Sequence, residues 1–222
     1  MNINKIIEKT YSGDAYILEV LKDKVILNDN YEGVIVLDSN LSIVKRISID
    51  QDLCIYNAIV IDEKEILLNC IESKKIYIVN IDTDEIKMME MPDCFYDEIL
   101  DKKIADNGND IIIKTYKNNY FYLDTDQLIV RPCDDFAPED DFDNKELDEE
   151  WIDYVKSEDT DKYLSESQIK IVGSENQYIY PDEDYYFCRL KVLDRENQKN
   201  LIVLSSDGYN ENYRITIYKI DF

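Results

Sequence analysis

Apolar runs rich in Val, Ile, Leu, Phe and Tyr recur along the whole chain, each closed by Asp, Asn, Ser or Gly. Their length and β-branched content read as strands divided by tight turns. Three of the runs keep a common register: VIVLDSNLSIV around Asp38, IYIVNIDTDEIKMM around Asp82 and YFYLDTDQLIV around Asp124. In each, an apolar run meets Asp-Ser/Thr-Asn/Asp and then a second apolar run, the pattern of a β-hairpin with an Asx-type turn. The aspartates are spaced 44 and 42 residues apart.

Upstream of the hairpins lie KDKVILND, EKEILLNC and GNDIIIKT, and before these AYILEVL, CIYNAIVI and FYDEILDKKIA. Each repeat of about 43 residues within 15–131 therefore holds four strands, and a lone four-stranded meander exposes two faces that neighbours must cover. The segment IYIVNIDTDEI resembles the outer hairpin of many propeller repeats, which implies a propeller-like array of such meanders. After Pro132 the pattern breaks over residues 133–167. It resumes in 168–222 with QIKIVG, NQYIY, DYYFCRLKVL, NLIVLSS and YRITIYKI. That last β unit leaves a spare strand that could pair with the N-terminal INKIIEK. The expected fold is all-β: a single propeller-like domain of about four four-stranded antiparallel meanders over residues 1–222, closed or open, with one short acidic helical insertion. An ordinary sandwich or barrel is the alternative.

Charge alters this picture. The chain carries a net −24, and residues 134–161 hold 14 acidic side chains against two lysines, a balance of −12 in 28 residues. Within that stretch Leu147, Trp151, Tyr154 and Val155 follow i, i+4, i+7, i+8, which predicts a short helix over 146–156 with Asp143 or Asn144 at its start. A calcium loop counted from Asp141 fails, because Lys145, Glu146 and Ile152 stand where an oxygen ligand, a glycine and a bidentate glutamate belong. Solvated filler is one reading of the acidic run. Phe136, Phe142, Trp151 and Tyr154 favour another, since disordered linkers are poor in aromatics and binding surfaces use them as anchors. The candidate partner-binding residues are Asp134, Asp135, Phe136, Glu139, Asp140, Asp141, Phe142, Asp143, Asp148, Glu149, Glu150 and Asp153.

The chemistry available is narrow. With no histidine among 222 residues, the commonest general base and metal ligand are missing. The five cysteines lack any C-x-x-C spacing, so neither a disulfide framework nor a zinc site is expected. The acidity disfavours nucleic acid and anionic membrane and points to a basic protein as partner. No apolar signal-like run opens MNINKIIEKTYSGDAY, which makes the cytoplasm the expected location. In size, acidity and lack of a catalytic motif the chain resembles the bacterial immunity proteins of contact-dependent growth inhibition, including those paired with EndoU-like RNase toxins. That resemblance implies a non-catalytic, cofactor-free inhibitor that places carboxylates in a cationic nuclease groove. A propeller-type interaction scaffold with no toxin partner is the alternative, and a carboxylate-dependent hydrolase a third.

Overall fold

A computed structural model describes residues 2–95, 97, 99–104, 110–115, 117–133, 152–155, 168–172, 177–182, 184–195, 198–207 and 212–221. The described residues form five antiparallel sheets and no helix. Two compact units contain them: residues 1–30, 34–46 and 146–222 in the first, residues 31–33 and 47–145 in the second.

The first unit opens with β1 (Asn2–Ser12), followed by β2 (Leu18–Leu21), β3 (Lys24–Asp29), β4 (Gly33–Leu37) and β5 (Ile43–Ser48), apart from Gly33, Ile47 and Ser48, which fall in the second. The second unit holds β6 (Asn57–Val60), β7 (Glu65–Cys70), β8 (Lys75–Asn80), β9 (Ile86–Glu90), β10 (Ile99–Ile104), β11 (Asp110–Thr115), β12 (Tyr120–Asp124) and β13 (Ile129–Pro132). The first unit resumes with β14 (Ile152–Val155), β15 (Gln168–Ile171), β16 (Gln177–Ile179), β17 (Tyr186–Arg195), β18 (Gln198–Ser206) and β19 (Asn212–Asp221). The meanders β2-β3-β4-β5, β6-β7-β8-β9 and β10-β11-β12-β13 match the three sequence repeats strand for strand. Residues 168–222 divide between two sheets, β14-β15-β16 and β1-β19-β18-β17. In the latter, β1 pairs with β19 from Asn2 opposite Asp221 to Ser12 opposite Asn212, as INKIIEK anticipates.

The second strand of each four-stranded sheet explains why the sheets need company. Val25, Ile26 and Leu27 are buried, as are Ile66 to Leu68, Ile111 to Ile113 and Leu201 to Leu204. Successive strand residues face opposite ways, so both faces of these strands are out of water. The β18 strand shows how. Ile202 and Leu204 join Ile215 and Ile217 in packing on Val25, Leu27, Ile35 and Leu37, while Leu201 and Val203 face the other way onto Ile169, Ile171 and Ile179. In the second unit, Leu67, Ile76 and Ile78 pack against Ile111, Ile113, Phe121 and Leu123.

Turn chemistry refines the repeat. Asp38 Oδ1 accepts from the Asn40 and Ser42 amides, both at 2.8 Å, and Asp124 Oδ1 accepts from Asp126 at 3.1 Å and Gln127 at 2.8 Å. In the middle repeat this acceptor is Asn80, which takes the Asp82 amide at 3.0 Å and that of Thr83 at 3.1 Å. The structural equivalents are thus Asp38, Asn80 and Asp124, and Asp82 is two residues past the acceptor. Each turn ends on a left-handed residue, Leu41, Asp84 or Leu128. Gly33 meets a different demand: a Cβ there would lie 2.0 Å from the Ile47 carbonyl oxygen, so only glycine admits that approach.

One expectation is overturned. The helix predicted over 146–156 is absent from the described part of that range, because Ile152–Val155 is strand β14, paired with β15 from Ile152 opposite Ile171 to Val155 opposite Gln168, while 146–151 and 156 lie outside the described residues. The i, i+4, i+7, i+8 spacing fits a helix, but Ile-Asp-Tyr-Val also fits a strand, and the available β15 edge decides between them. Ladder pairing outweighs local periodicity.

Two repeat-equivalent asparagines carry different loads. Asn28 is fully buried; its Oδ1 accepts from the Tyr16 and Ile17 amides at 2.8 and 3.0 Å, and its Nδ2 donates to the Asp14 and Asn30 carbonyls at 2.8 and 3.3 Å. Asn69, equally buried, donates from Nδ2 to the Asp97 carbonyl at 3.3 Å while its Oδ1 has no partner among the described residues. Asn28→Ala is expected to cost about 3 kcal/mol and Asn69→Ala about 1 kcal/mol, since the first strands several backbone groups and the second removes a group already half satisfied. Equal losses in urea unfolding would refute this reading. Leu128 holds a left-handed φ of 58° with 40% of its surface exposed. Leu128→Gly is therefore expected to stabilise by about 0.5–1 kcal/mol in the same assay.

Candidate functional site

Among the described residues, charge, aromatic surface and concavity come together on the first unit, where β1, β16 and β19 border an open hollow of about 660 Å³. Ile3 and Lys5 line it from β1, Gln177 to Tyr180 from β16 and the residue after it, and Tyr218 from β19. The β1 ladder places Lys5 directly opposite Tyr218, then slips between Lys5 and Ile7. The slip is a bulge that leaves Ile6 out of register and 52% exposed. Bulges of this kind re-aim side chains and blunt a sheet edge.

A balanced set of charges borders the hollow. Lys5 Nζ is 2.7 Å from Glu8 Oε2 and 3.9 Å from Asp182 Oδ2. Thr216 donates its hydroxyl to Glu8 at 3.3 Å. Arg214 pairs with Asp182 through its Nη1 and lays its guanidinium 3.9 Å from the Tyr185 ring centroid. The Glu8 bond holds the Lys5 ammonium above its ordinary value against the opposing effect of burial. Burial pushes the Glu8 carboxyl up, but the hydrogen bonds from Lys5 and Thr216 and the charges of Lys5 and Arg214 outweigh it and leave the group below its ordinary value. Burial likewise raises the Tyr218 phenol, which keeps it neutral near pH 7.

Two further tyrosines complete the surface. Tyr178 and Tyr180 are 43% and 63% exposed and their ring centroids lie 6.3 Å apart. Tyrosine rings, one aliphatic wall and tied-down charges suit recognition: the rings offer rigid contact area and polar tips. All five cysteines are free thiols. Burial pushes Cys70 up to about 12 and Cys188 up to about 11, so both remain protonated. No group of three or more carboxylates or thiols is placed to hold a metal ion among the described residues, and no helix among them is long and apolar enough to cross a membrane.

Of the binding residues expected from sequence, Asp134, Asp135, Phe136, Glu139, Asp140, Asp141, Phe142, Asp143, Asp148, Glu149 and Glu150 lie outside the described residues. Asp153 falls within β14, in register with Lys170 of β15. The hollow was not anticipated. Its signal in the sequence is the tyrosine-rich NQYIYPDEDYY, whose meaning depends on β1 crossing the full length of the chain to reach β19.

No protein-family model matches this chain, and no curated protein does. Among solved structures it is similar to the computationally designed Ika4 protein, with 11% identity, a TM-score of 0.41, and 78% of this chain and 94% of that one covered. A member of the DUF4221 family from Bacteroides vulgatus gives 9% identity and a TM-score of 0.41 over 99% and 98% of the two chains. The computationally designed Ika8 protein gives 10% and 0.42 over 92% and 59%. Likeness at this level carries no argument about activity or partner.

The Glu8 arrangement has a pH consequence. A carboxyl held below its ordinary value of 4.5 contributes stability above that value and loses it as the pH falls through the folded value. Glu8→Gln is expected to lower the melting temperature at pH 7 and to shrink its fall between pH 5 and pH 3. A wild-type-like acid limb in the variant would show that the Lys5 and Thr216 contacts do not form in solution.

Proposed function

We propose that this chain is an inhibitor of a basic protein, and in its most concrete form an immunity protein that neutralises a cationic nuclease toxin. The single observation that carries the reading is the placing of half the chain's net charge in residues 134–161, among Phe136, Phe142, Trp151 and Tyr154. A nuclease groove is built to hold phosphates at intervals, and spaced carboxylates present it with the same charge. Such fields raise encounter rates, and close charge pairs then couple strongly. The action is blocking, with no catalysis and no cofactor.

The scaffold in this proposal is a propeller whose blades are the five sheets. The pairing of the N-terminal β1 with the C-terminal β19 supports it, because joining the chain ends in one sheet is an efficient way to fasten a ring of sheets. The acidic segment then lies between β13 and β14 as an insertion that meets the partner.

The test is association kinetics at two ionic strengths, using the basic protein captured by the wild-type chain. Converting Asp140, Asp141, Asp143, Glu149 and Glu150 together to Asn and Gln is expected to slow association at least tenfold and to remove most of its salt dependence. The melting temperature should stay level or rise as self-repulsion is relieved. Unchanged rates with an equal salt slope would return the segment to solvated filler and leave a propeller scaffold without a toxin partner as the better reading.

A further inference from the structure

A buried side-chain oxygen is normally served by a donor or an ion. Among the described residues, three asparagine Oδ1 atoms are buried without a partner: those of Asn57, Asn69 and Asn200. Asn200 stands singly, opposite Leu193 on one side and Lys219 on the other. Asn57 and Asn69 face each other directly in the β6–β7 ladder, so both side chains leave the same face of one sheet. Asn69 is fully buried, and Asn57 is partly so.

The nitrogens fix the orientation of both amides. Asn57 Nδ2 donates to the Ile99 carbonyl, and Asn69 Nδ2 donates to the Asp97 carbonyl at 3.3 Å. Turning either amide over would set oxygen against oxygen, so Oδ1 is the atom left over. Each accepting carbonyl has a second lone pair. Two amide oxygens and two main-chain oxygens, all from the second unit, therefore lie beside one another.

The other repeats show how this position is satisfied. In the first, Asn28 is the equivalent of Asn69, and the Tyr16 and Ile17 amides donate to its Oδ1. In the third, the ladder register makes Lys114 the equivalent, a residue with a positive charge of its own. The second repeat instead adds Asn57 at the place where the first has buried Ile17. That exchange adds an oxygen where a donor is called for.

We infer that Asn57 and Asn69 form a binding site for a monovalent alkali cation, held by their two Oδ1 atoms and the Asp97 and Ile99 carbonyls. Neutral carbonyl oxygens can replace the hydration shell of such an ion. A divalent ion is disfavoured, because it calls for carboxylates and the Asp97 carboxylate accepts from the Lys117 amide at 2.8 Å. A single water would donate to two of the four oxygens and turn its own lone pairs toward the other two. The net −24 of the chain favours positive charge, and the partial exposure of Asn57 gives the ion a way in. The ion would tie β6 and β7 to the start of β10. This site is separate from the acidic insertion and does not rest on the inhibitor reading.

The experiment is calorimetric melting of the full chain at one ionic strength in potassium, sodium or N-methylglucamine chloride, with the sodium-23 resonance followed in the sodium sample. An alkali cation at about ten times its dissociation constant is expected to raise the melting temperature by about 3–5 °C over N-methylglucamine. The sodium line is expected to broaden on adding protein and to narrow again as potassium competes. Asn57→Ala should lose both responses. Asn28→Ala, whose oxygen is served by amides, should melt lower in every salt and keep the shift. Asn57→Asp should gain a calcium-dependent rise in melting temperature beyond that of wild type, because it places a carboxylate among the four oxygens. The inference is overturned if the three salts give one melting temperature and the sodium line is unaffected, as a site filled by water alone would do. It is equally overturned if Asn57→Ala keeps the wild-type response, which would place the bound ion elsewhere.

Discussion

Burial of the second strand on both faces is the constraint from which the remaining architecture follows. Strands β3, β7, β11 and β18 present apolar side chains in both directions, so a sheet built on any of them is incomplete until a neighbour covers each side. Within the first unit, β18 meets this with two different apolar clusters on its opposite faces. β15 departs from it. Ile169 and Ile171 are buried while Lys170 between them is only partly so, and this one-faced strand belongs to the sheet with three strands among the described residues.

The same stacking carries a local cost at the turns. Nine non-glycine residues among those described adopt positive φ, against one glycine, Gly13. Each such residue is less favourable in that conformation than glycine by about 1 kcal/mol. Some recover part of it through packing: Leu41 is fully buried within the first unit's core. Elsewhere the Asx acceptors Asp38, Asn80 and Asp124 bond successive turn amides and hold the hairpins in register. A chain with five glycines in 222 residues thus makes its hairpins from acidic and amide side chains, and part of its negative charge is turn chemistry.

Much of this was legible in the sequence, because strand periodicity and Asx turns are local signals. The runs at Val25, Ile66 and Ile111 are second strands as their repetition implies, and the register error of two residues at Asp82 arises because asparagine and aspartate serve equally as turn acceptors. Beyond the pairing of INKIIEK with the last strand, what sequence could not give was the register of pairing at a distance. Ile152–Val155 reads as helix by its own spacing and becomes strand through β15. The hollow likewise needs Lys5 and Tyr218, 213 positions apart in the chain, to face each other in one ladder. The acidic residues of the expected binding surface are conspicuous by charge alone, which says what they attract and not how they are arranged.

The double-faced burial of the second strands is tested most directly by native-state hydrogen exchange resolved strand by strand. Amides of β3, β7, β11 and β18 are predicted to exchange slowest, at the rate set by global unfolding, while those of the outer strands β5, β9 and β13 exchange through local opening several kcal/mol below that limit. Second strands that exchange as fast as the outer ones would contradict the account, because they would then lack the cover that the stacked sheets supply.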